Sequence, residues 1–379
     1  MSAVLRRPIT TTKDQSTTFI ELFFDLVLVY AVTQTVSLVH KELSWAGVAH
    51  AVIVFWLVWS AWTQFTWALN SADTTHPAVE TVMLAATAIA FLMAVTVPDA
   101  FGDAGGWFAA TYIAVRVVGL ALYGRVAWDD VAKRAAVRRF ACCPRAAWPP
   151  WLAAAWSGVT PERGGGRPRC CSMWSPPWRP EPPRAGTSAP TTSASGTGCS
   201  SSSPWASRSS WLALTGAERT TQTVAAAILA VGVTCGLWWS YFVTAKPLLD
   251  DAMRQRDQAD RTSLARDVYS ILHFVVVFGV VLLAVAVEEA VAHPHEALPA
   301  GGSLALAGGV VLFVGGTAAA VRRSGNALSG RRLVILGAVA AGVWLTHGAP
   351  VTWSLLVVAL GLLLLGAAER ATGNASRRA

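Results

Sequence analysis

Long apolar runs dominate this sequence, and each has the length of a membrane-spanning helix. The first covers residues 18–39 and the second covers residues 46–69. A hydrocarbon core of roughly 30 Å needs about 20 consecutive apolar residues in a helix. Charged residues make up 14% of the 379 residues, against roughly 25% in soluble domains, so they are too few to coat a water-exposed surface. The sequence therefore predicts an all-α polytopic transmembrane helix bundle and not a soluble catalytic domain.

About nine spans are predicted from these runs. Seven follow the first two, at residues 77–97, 106–123, 221–243, 268–287, 303–321, 333–345 and 351–367. Residues 333–345 are short for a crossing, which indicates a span with little tilt or a partly re-entrant segment. The domain prediction places a membrane bundle of four helices at residues 1–140, a disrupted segment at residues 141–214, and a bundle of five helices at residues 215–379.

Basic residues mark one side of the predicted bundle. They give a net charge of +8 and lie in alternate connecting segments, whereas residues 99–105 and 291–302 contain no Lys or Arg. Because cytoplasmic loops are enriched in Lys and Arg, we predict a bacterial inner-membrane protein with both termini in the cytoplasm. The expected partners are the lipid bilayer and a small solute or ion, and no nucleic acid is needed to explain the charge. This orientation requires an odd number of crossings between residues 140 and 221.

The middle of the chain differs in composition from the rest. Residues 141–211 contain 12 of the 19 prolines, 5 of the 6 cysteines and 7 of the 18 tryptophans. A disordered linker explains the prolines but not the tryptophans, since such linkers are poor in aromatic residues. The adjacent pairs Cys142–Cys143 and Cys170–Cys171 lack the spacing of a zinc site, so no metal site is predicted. A third interpretation is a stretch of a gene translated in the wrong frame.

The third interpretation can be tested on the protein sequence. Joining the last base of each codon to the first two of the next, with ordinary codon choices, converts the chain from Ala194 onward into G-E-R-D-G-L-F-V-I-I-A-L-G-E-S-I-V-V-A. Four serines in a row become an apolar Phe-Val-Ile-Ile run, and the result resembles a membrane helix with a charged entrance. This helix supplies the odd crossing that the orientation requires. With two further spans hidden before residue 190, an intact relative has about twelve crossings.

Four motifs suggest a family. Residues 18–27, with the sequence Thr-Phe-Ile-Glu-Leu-Phe-Phe-Asp-Leu-Val, resemble the opening signature of the bacterial low temperature requirement protein A family. The back-translated E-R-x-G-L-F-V-I-I-x-L-G-E-S-I string is similar to its second signature. The Trp-Trp-Ser-Tyr-Phe sequence at residues 238–242 and the pair Tyr269 and His273 match patterns that follow in the family. The resemblance implies a many-helix inner-membrane protein with no agreed substrate or reaction, whose family name comes from a cold-growth phenotype.

Five polar residues within the predicted spans are candidates for a substrate or ion pathway. Glu21 and Asp25 share a face of the first helix because they are four residues apart, and Tyr269 and His273 share a face for the same reason. Charged side chains within a span are costly, so they usually pair or face a cavity. Arg116 lies midway along the fourth helix, and we expect it to pair with Asp25. For each residue, a role in binding a proton or ion competes with a structural role in pairing or packing.

Other polar and aromatic residues favour structural interpretations. Glu288 and Glu289 end a helix on the outer side and are expected to form a solvated collar. Trp56, Trp59 and Trp62 recur every third residue in the second helix, which favours packing or lipid contact over a cofactor site.

Several functions are compatible with these residues. The leading hypothesis is a secondary transporter or a proton or ion pathway that uses Asp25, Glu21 and Arg116. A membrane-embedded enzyme that modifies lipids and a non-catalytic factor for growth in the cold are the alternatives. The sequence carries no phosphate-binding loop and no nucleophile elbow, so no cofactor and no catalytic residue are predicted.

Overall fold

The apolar runs form long helices in the computed structural model, which describes residues 9–10, 18–41, 43–128, 221–326 and 330–378. Four helices precede the undescribed middle: α1 (Phe19–Lys41), α2 (Trp45–Leu69), α3 (Pro77–Thr96) and α4 (Gly105–Val126). Seven follow it: α5 (Thr221–Trp238), α6 (Lys246–Arg254), α7 (Gln258–Ala265), α8 (His273–Ala292), α9 (Ala300–Arg323), α10 (Arg331–Leu345) and α11 (Val351–Arg378). The disrupted segment predicted at residues 141–214 lies outside the described residues.

Two short π-helical segments interrupt the second group of helices. The first π segment, Trp239–Ala245, joins α5 to α6, and the second π segment, Arg266–Leu272, joins α7 to α8. Each adds a residue per turn and so changes which side chains face inward. The predicted spans at residues 221–243 and 268–287 are therefore parts of longer continuous helical paths.

The described part of the chain has eight helical stretches that are long and apolar enough to cross a membrane. The described elements are helices, accompanied by two isolated antiparallel bridges. The predicted fold class, a polytopic all-α bundle, is confirmed. The remaining predicted span, at residues 333–345, corresponds to α10, which has 15 residues and is about 22 Å long at 1.5 Å per residue.

Contacts between turns show that α10 nonetheless runs from one end of the bundle to the other. The backbone N–H of Val351, just after α10, donates to the carbonyl of Glu296, just before α9, at 2.9 Å. The end of α10 therefore lies beside the start of α9. Since α10 begins shortly after α9 ends, the two helices are antiparallel, and α10 together with the turn that follows it returns the chain to the end where α9 starts.

The connecting segments sort by charge between the two ends of the bundle. At one end, Lys41 forms an ion pair with Asp99 at 2.7 Å, and His40 of α1 contacts Glu289 of α8 at 3.6 Å. Because α1 and α8 both finish at this end, both begin at the opposite end, which also carries the basic residues from Lys246 to Arg266. We call the end with Lys246 to Arg266 the basic end, and the end with the Lys41–Asp99 pair the outer end.

Packing is tightest between α8 and α9. A Cβ atom on Gly279 would lie 2.8 Å from the carbonyl oxygen of Gly309, and one on Gly309 would lie 2.6 Å from a side-chain carbon of Leu283. Small residues of this kind let membrane helices approach closely. Close packing stabilises the pair by van der Waals contact, because the hydrophobic effect does not drive association between helices that are already in lipid. The interface holds the start of α8, and with it Tyr269 and His273, in a fixed position.

The described residues belong to one compact unit, in which α1 and α2 contact α8. The domain boundaries at residues 140 and 214 stay predictions.

Candidate functional site

The tryptophans of α2 attach that helix to the second π segment. The indole Nε1 of Trp59 donates to the backbone carbonyl of Ser270 at 2.7 Å, and Nε1 of Trp67 donates to the Ser270 hydroxyl at 3.1 Å. The Trp56 ring meets Phe274 edge to face, with ring centroids 5.0 Å apart. The tryptophan stripe therefore packs against α8, as one of its two structural interpretations expected.

Asp25 is bound by a neighbouring helix. The indole Nε1 of Trp62 donates to Asp25 Oδ1 at 2.8 Å, and the carboxyl group is half-buried. A hydrogen bond to a charged acceptor is stronger than one between neutral groups, which offsets part of the cost of an acid in a span. The other carboxylate oxygen, Oδ2, accepts no hydrogen bond from the described residues.

Arg116 has different partners from those predicted. Its Nη1 donates to the backbone carbonyl of Ser60 at 3.0 Å, while its own carbonyl accepts from Gln64 Nε2 at 3.2 Å. Both Asp25 and Arg116 are described, and no ion pair joins them there, so the predicted Asp25–Arg116 pair is wrong. The reason is the helix arrangement: α1 and α4 each pack on α2 and α3, and Asp25 and Arg116 bind different residues of α2.

The histidine predicted from the family motif lies among aromatic rings from three elements. The ring centroid of His273 is 6.0 Å from that of Trp59, 5.6 Å from Tyr241 of the first π segment, and 6.5 Å from Tyr269 of the second. Tyr269 and His273, which were predicted to share a face, thus have neighbouring rings. Both tyrosines sit in π segments, which occur often at functional sites.

These contacts form one continuous cluster. Trp59 and Trp62 are 4.9 Å apart between ring centroids, so they link Asp25 of α1 to His273 of α8. We call the group of Asp25, Trp59, Trp62 and His273, with its two flanking tyrosines, the Asp25–His273 cluster. It lies toward the basic end, because Asp25 is near the start of α1 and His273 begins α8. Its carboxylate, imidazole and aromatic faces are groups that can bind a cation.

The remaining candidates lie apart from this cluster. Glu21 is in the first turn of α1 beside Thr18, one turn closer to the basic end than Asp25. At the outer end, Glu289 has only 4% of its surface exposed and lies against His40, so the predicted solvated collar is wrong for that residue. Glu289 is buried because the end of α8 packs against the end of α1, a contact that the spacing of residues in the sequence does not reveal.

Sequence reasoning underestimated the part that Trp59, Trp62 and Tyr241 play in the site. All three lie within patterns that the sequence displays, the tryptophan stripe and the motif at residues 238–242, but their partners are distant in the chain. A search of the described residues finds no group of three or more His, Cys, Asp or Glu side chains able to hold a metal ion.

The apolar helices, their close packing and the polar cluster inside the bundle define the class of this molecule: a multi-pass integral membrane protein. The model of one family, the bacterial low temperature requirement A protein (LtrA) family, matches residues 16–163 and 211–367, and the chain belongs to this family. The match stops after residue 163 and resumes at residue 211, and this interruption lies inside the stretch predicted to be out of frame. Residues 141–163, at the start of that predicted stretch, lie within the match.

Comparison with curated proteins adds a similarity but no activity. The chain is 32% identical over 106 residues, 28% of its length, to an uncharacterised protein of Rhizobium meliloti (strain 1021). That match spans about a quarter (26%) of the relative. No solved structure matches the chain.

Proposed function

We propose that this protein is a secondary transporter or proton pathway, and that the Asp25–His273 cluster binds the transported proton or small cation. The observation that carries the proposal is the hydrogen bond from Trp62 to Asp25, which joins an acid on α1 to a histidine on α8 through two tryptophans whose tilted rings are in contact. Ionisable residues within membrane spans mark ion and proton pathways more often than other sites.

The chemistry of the cluster supports this proposal. A carboxylate held by a single indole N–H keeps an oxygen available for a proton or cation, and histidine exchanges protons near neutral pH. The aromatic rings around His273 provide faces that attract a cation. Trp59 and Trp62 hold both ionisable groups at defined positions, so that a small shift between α1 and α8 changes their separation.

The proposed orientation places this cluster near the cytoplasm of a bacterial cell. The basic end carries Lys246, Arg254 and Arg266, whereas the turns at the outer end contain Asp99 and Glu296. By the positive-inside rule the basic end, and with it both termini, faces the cytoplasm. Reporter fusions after residues 102 and 378 test this proposal: the first is expected to report the outer side and the second the cytoplasmic side.

Proton flux into proteoliposomes tests the function. The purified protein is reconstituted with an internal pH-sensitive dye, and a potassium–valinomycin potential drives proton entry. The assay compares the chain as written with a version in which residues 164–210 are translated in the alternative frame. We expect Asp25→Asn and His273→Gln each to reduce flux by about tenfold or more, in keeping with one lost proton-transfer group.

A matched carboxylate elsewhere provides the control. Glu80 lies exposed in the first turn of α3 and at the basic end, so Glu80→Gln removes the same charge without touching the cluster. It should leave flux unchanged. Flux that is indistinguishable from protein-free vesicles in both versions of the chain contradicts the proposal, as does flux that is insensitive to Asp25→Asn.

A further inference from the structure

Arg332, at the start of α10, is the most completely buried charged side chain in the described part of the molecule. Only 2% of its surface is exposed. Its Nε donates to Glu369 Oε1 of α11, and the other carboxylate oxygen, Oε2, accepts from the Thr244 hydroxyl at 2.7 Å. The pair therefore ties together α10, α11 and the first π segment.

Two of the three guanidinium nitrogens have nothing to donate to. Nη1 and Nη2 of Arg332 are buried and make no hydrogen bond. A guanidinium carries five N–H donors in a planar fork that fits carboxylate and phosphate oxygens. Leaving four of them unpaired inside a protein is costly, so a buried arginine of this kind indicates an anion that completes the fork.

The surroundings favour an anion and not a second cation. Arg331 precedes Arg332 at the positive end of the α10 dipole, and Arg370 stacks on Trp239 at 4.2 Å from the ring centroid. Arg331 and Arg370 are the sequence neighbours of Arg332 and Glu369, so these two short segments together carry three arginines and one glutamate. The site lies at the basic end, where α10 begins after the last turn of α9.

The surface of α10 indicates where the anion comes from. Leu333 and Val334, the next residues after Arg332, are 64% and 72% exposed, so the apolar outer side of this helix faces lipid. The main packing partners of α10 are α9 and α11, and most of its residues are exposed. An outward shift of its first turn opens Nη1 and Nη2 to the membrane interface at the cost of few contacts.

We propose that Arg332 binds the phosphate of an anionic phospholipid headgroup at the cytoplasmic membrane surface, between α10, α11 and the first π segment. The headgroup phosphate accepts from Nη1 and Nη2, while the acyl chains lie against Leu333 and Val334. Basic pockets between membrane helices on the cytoplasmic side are suited to such headgroups. The pair with Glu369 holds the fork in position and lowers the affinity, because it neutralises one charge.

The test is lipid retention by the purified full-length protein in detergent, measured by native mass spectrometry. Dioleoylphosphatidylglycerol and dioleoylphosphatidylcholine are titrated separately, and inorganic phosphate is the third arm. We expect phosphatidylglycerol to bind about tenfold more tightly than phosphatidylcholine, since the anionic lipid lacks a compensating choline cation. Arg332→Gln should remove that preference.

Two further variants keep the test decisive if Arg332→Gln does not fold. Glu369→Gln retains the hydrogen bonds of the pair but removes its negative charge, so it should tighten phosphatidylglycerol binding several-fold. Arg322→Gln removes an exposed charge at the same end of the bundle and should have little effect. A purely structural ion pair predicts no change in lipid preference for Glu369→Gln.

Three results overturn the proposal. The first is equal binding of the two lipids by the unmodified protein. The second is an unchanged or weaker preference for phosphatidylglycerol in Glu369→Gln. The third is binding of inorganic phosphate by a protein that shows no preference between the two lipids, which assigns the guanidinium to a soluble phosphate.

Discussion

Two arginines inside this bundle meet opposite electrostatic surroundings. Arg332 lies between α10 and α11 and has a carboxylate partner, Glu369. Arg116 lies between α2 and α4, where its guanidinium donates to the backbone carbonyl of Ser60 and neighbours the neutral Tyr112. In the α10–α11 region, the charge of Arg332 is neutralised by the carboxylate of Glu369. In the α2–α4 region, the charge of Arg116 is stabilised by neutral dipolar groups.

This difference predicts how the stability of each region responds to the loss of a charged residue. A buried charge that loses its countercharge is left in a low-dielectric setting, whereas a charge held by neutral groups has no countercharge to lose. The α10–α11 region should therefore be sensitive to the loss of an acid. The α2–α4 region should tolerate the loss of its arginine.

The largest effect is expected from Glu369→Ala. The substitution leaves the Arg332 guanidinium buried without a countercharge, which costs about 3 to 5 kcal/mol of unfolding free energy. Unfolding by SDS in mixed micelles measures the change. The matched variant Glu80→Ala, at an exposed acid, should change the unfolding free energy by less than about 0.5 kcal/mol. Equal losses in the two variants would show that the Arg332 pair contributes nothing specific.

A smaller effect is expected from Trp62→Phe. This substitution keeps an aromatic ring in place but removes the N–H that binds Asp25, at a cost of about 1 kcal/mol. The same unfolding assay provides the measurement. Trp56→Phe is the control, because the Trp56 indole packs on Phe274 and its nitrogen has no hydrogen bond within the described chain. A greater loss for Trp56→Phe than for Trp62→Phe would contradict the assignment of this hydrogen bond.

The smallest effect is expected from Arg116→Met. Methionine fills similar space and removes a half-buried charge that has only neutral partners, so the change should stay within about 1 kcal/mol in either direction. Arg116→Met and Glu369→Ala are compared in one series of unfolding experiments. If Arg116→Met costs as much as Glu369→Ala, then Arg116 has a countercharge and the contrast between the two regions fails.

The sequence was sufficient to predict the helices but not the pairs between them. Apolar runs are local features, so their positions and the fold class follow from composition along the chain. The Asp25–Arg116 pair was inferred because Asp25 was the acidic residue placed farthest inside a predicted span. In the structure, the two side chains bind different residues of α2. The contact between Trp62 and Asp25 joins residues 37 positions apart, which no spacing rule within one helix describes.

The nucleotide sequence provides a separate test of the middle of the chain. The family match is interrupted between residues 163 and 211, and the alternative frame of residues 194–211 encodes an apolar string that resembles the family's second signature. We predict an insertion or deletion of bases after codon 163 and a compensating change near codon 212. Resequencing of this gene and of a relative checks the prediction. Codons that cannot encode the apolar string in any frame would contradict it.

The account rests on Asp25 and His273 acting as one site, and a double-mutant cycle of proton flux tests this directly. Flux is measured in proteoliposomes for Asp25→Asn, His273→Gln and the double variant. If both residues serve one pathway, the double variant loses no more than the more severe single variant, because residues that act as a unit are non-additive. Losses that multiply in the double variant would show that Asp25 and His273 act independently, and the proposed cluster would be contradicted.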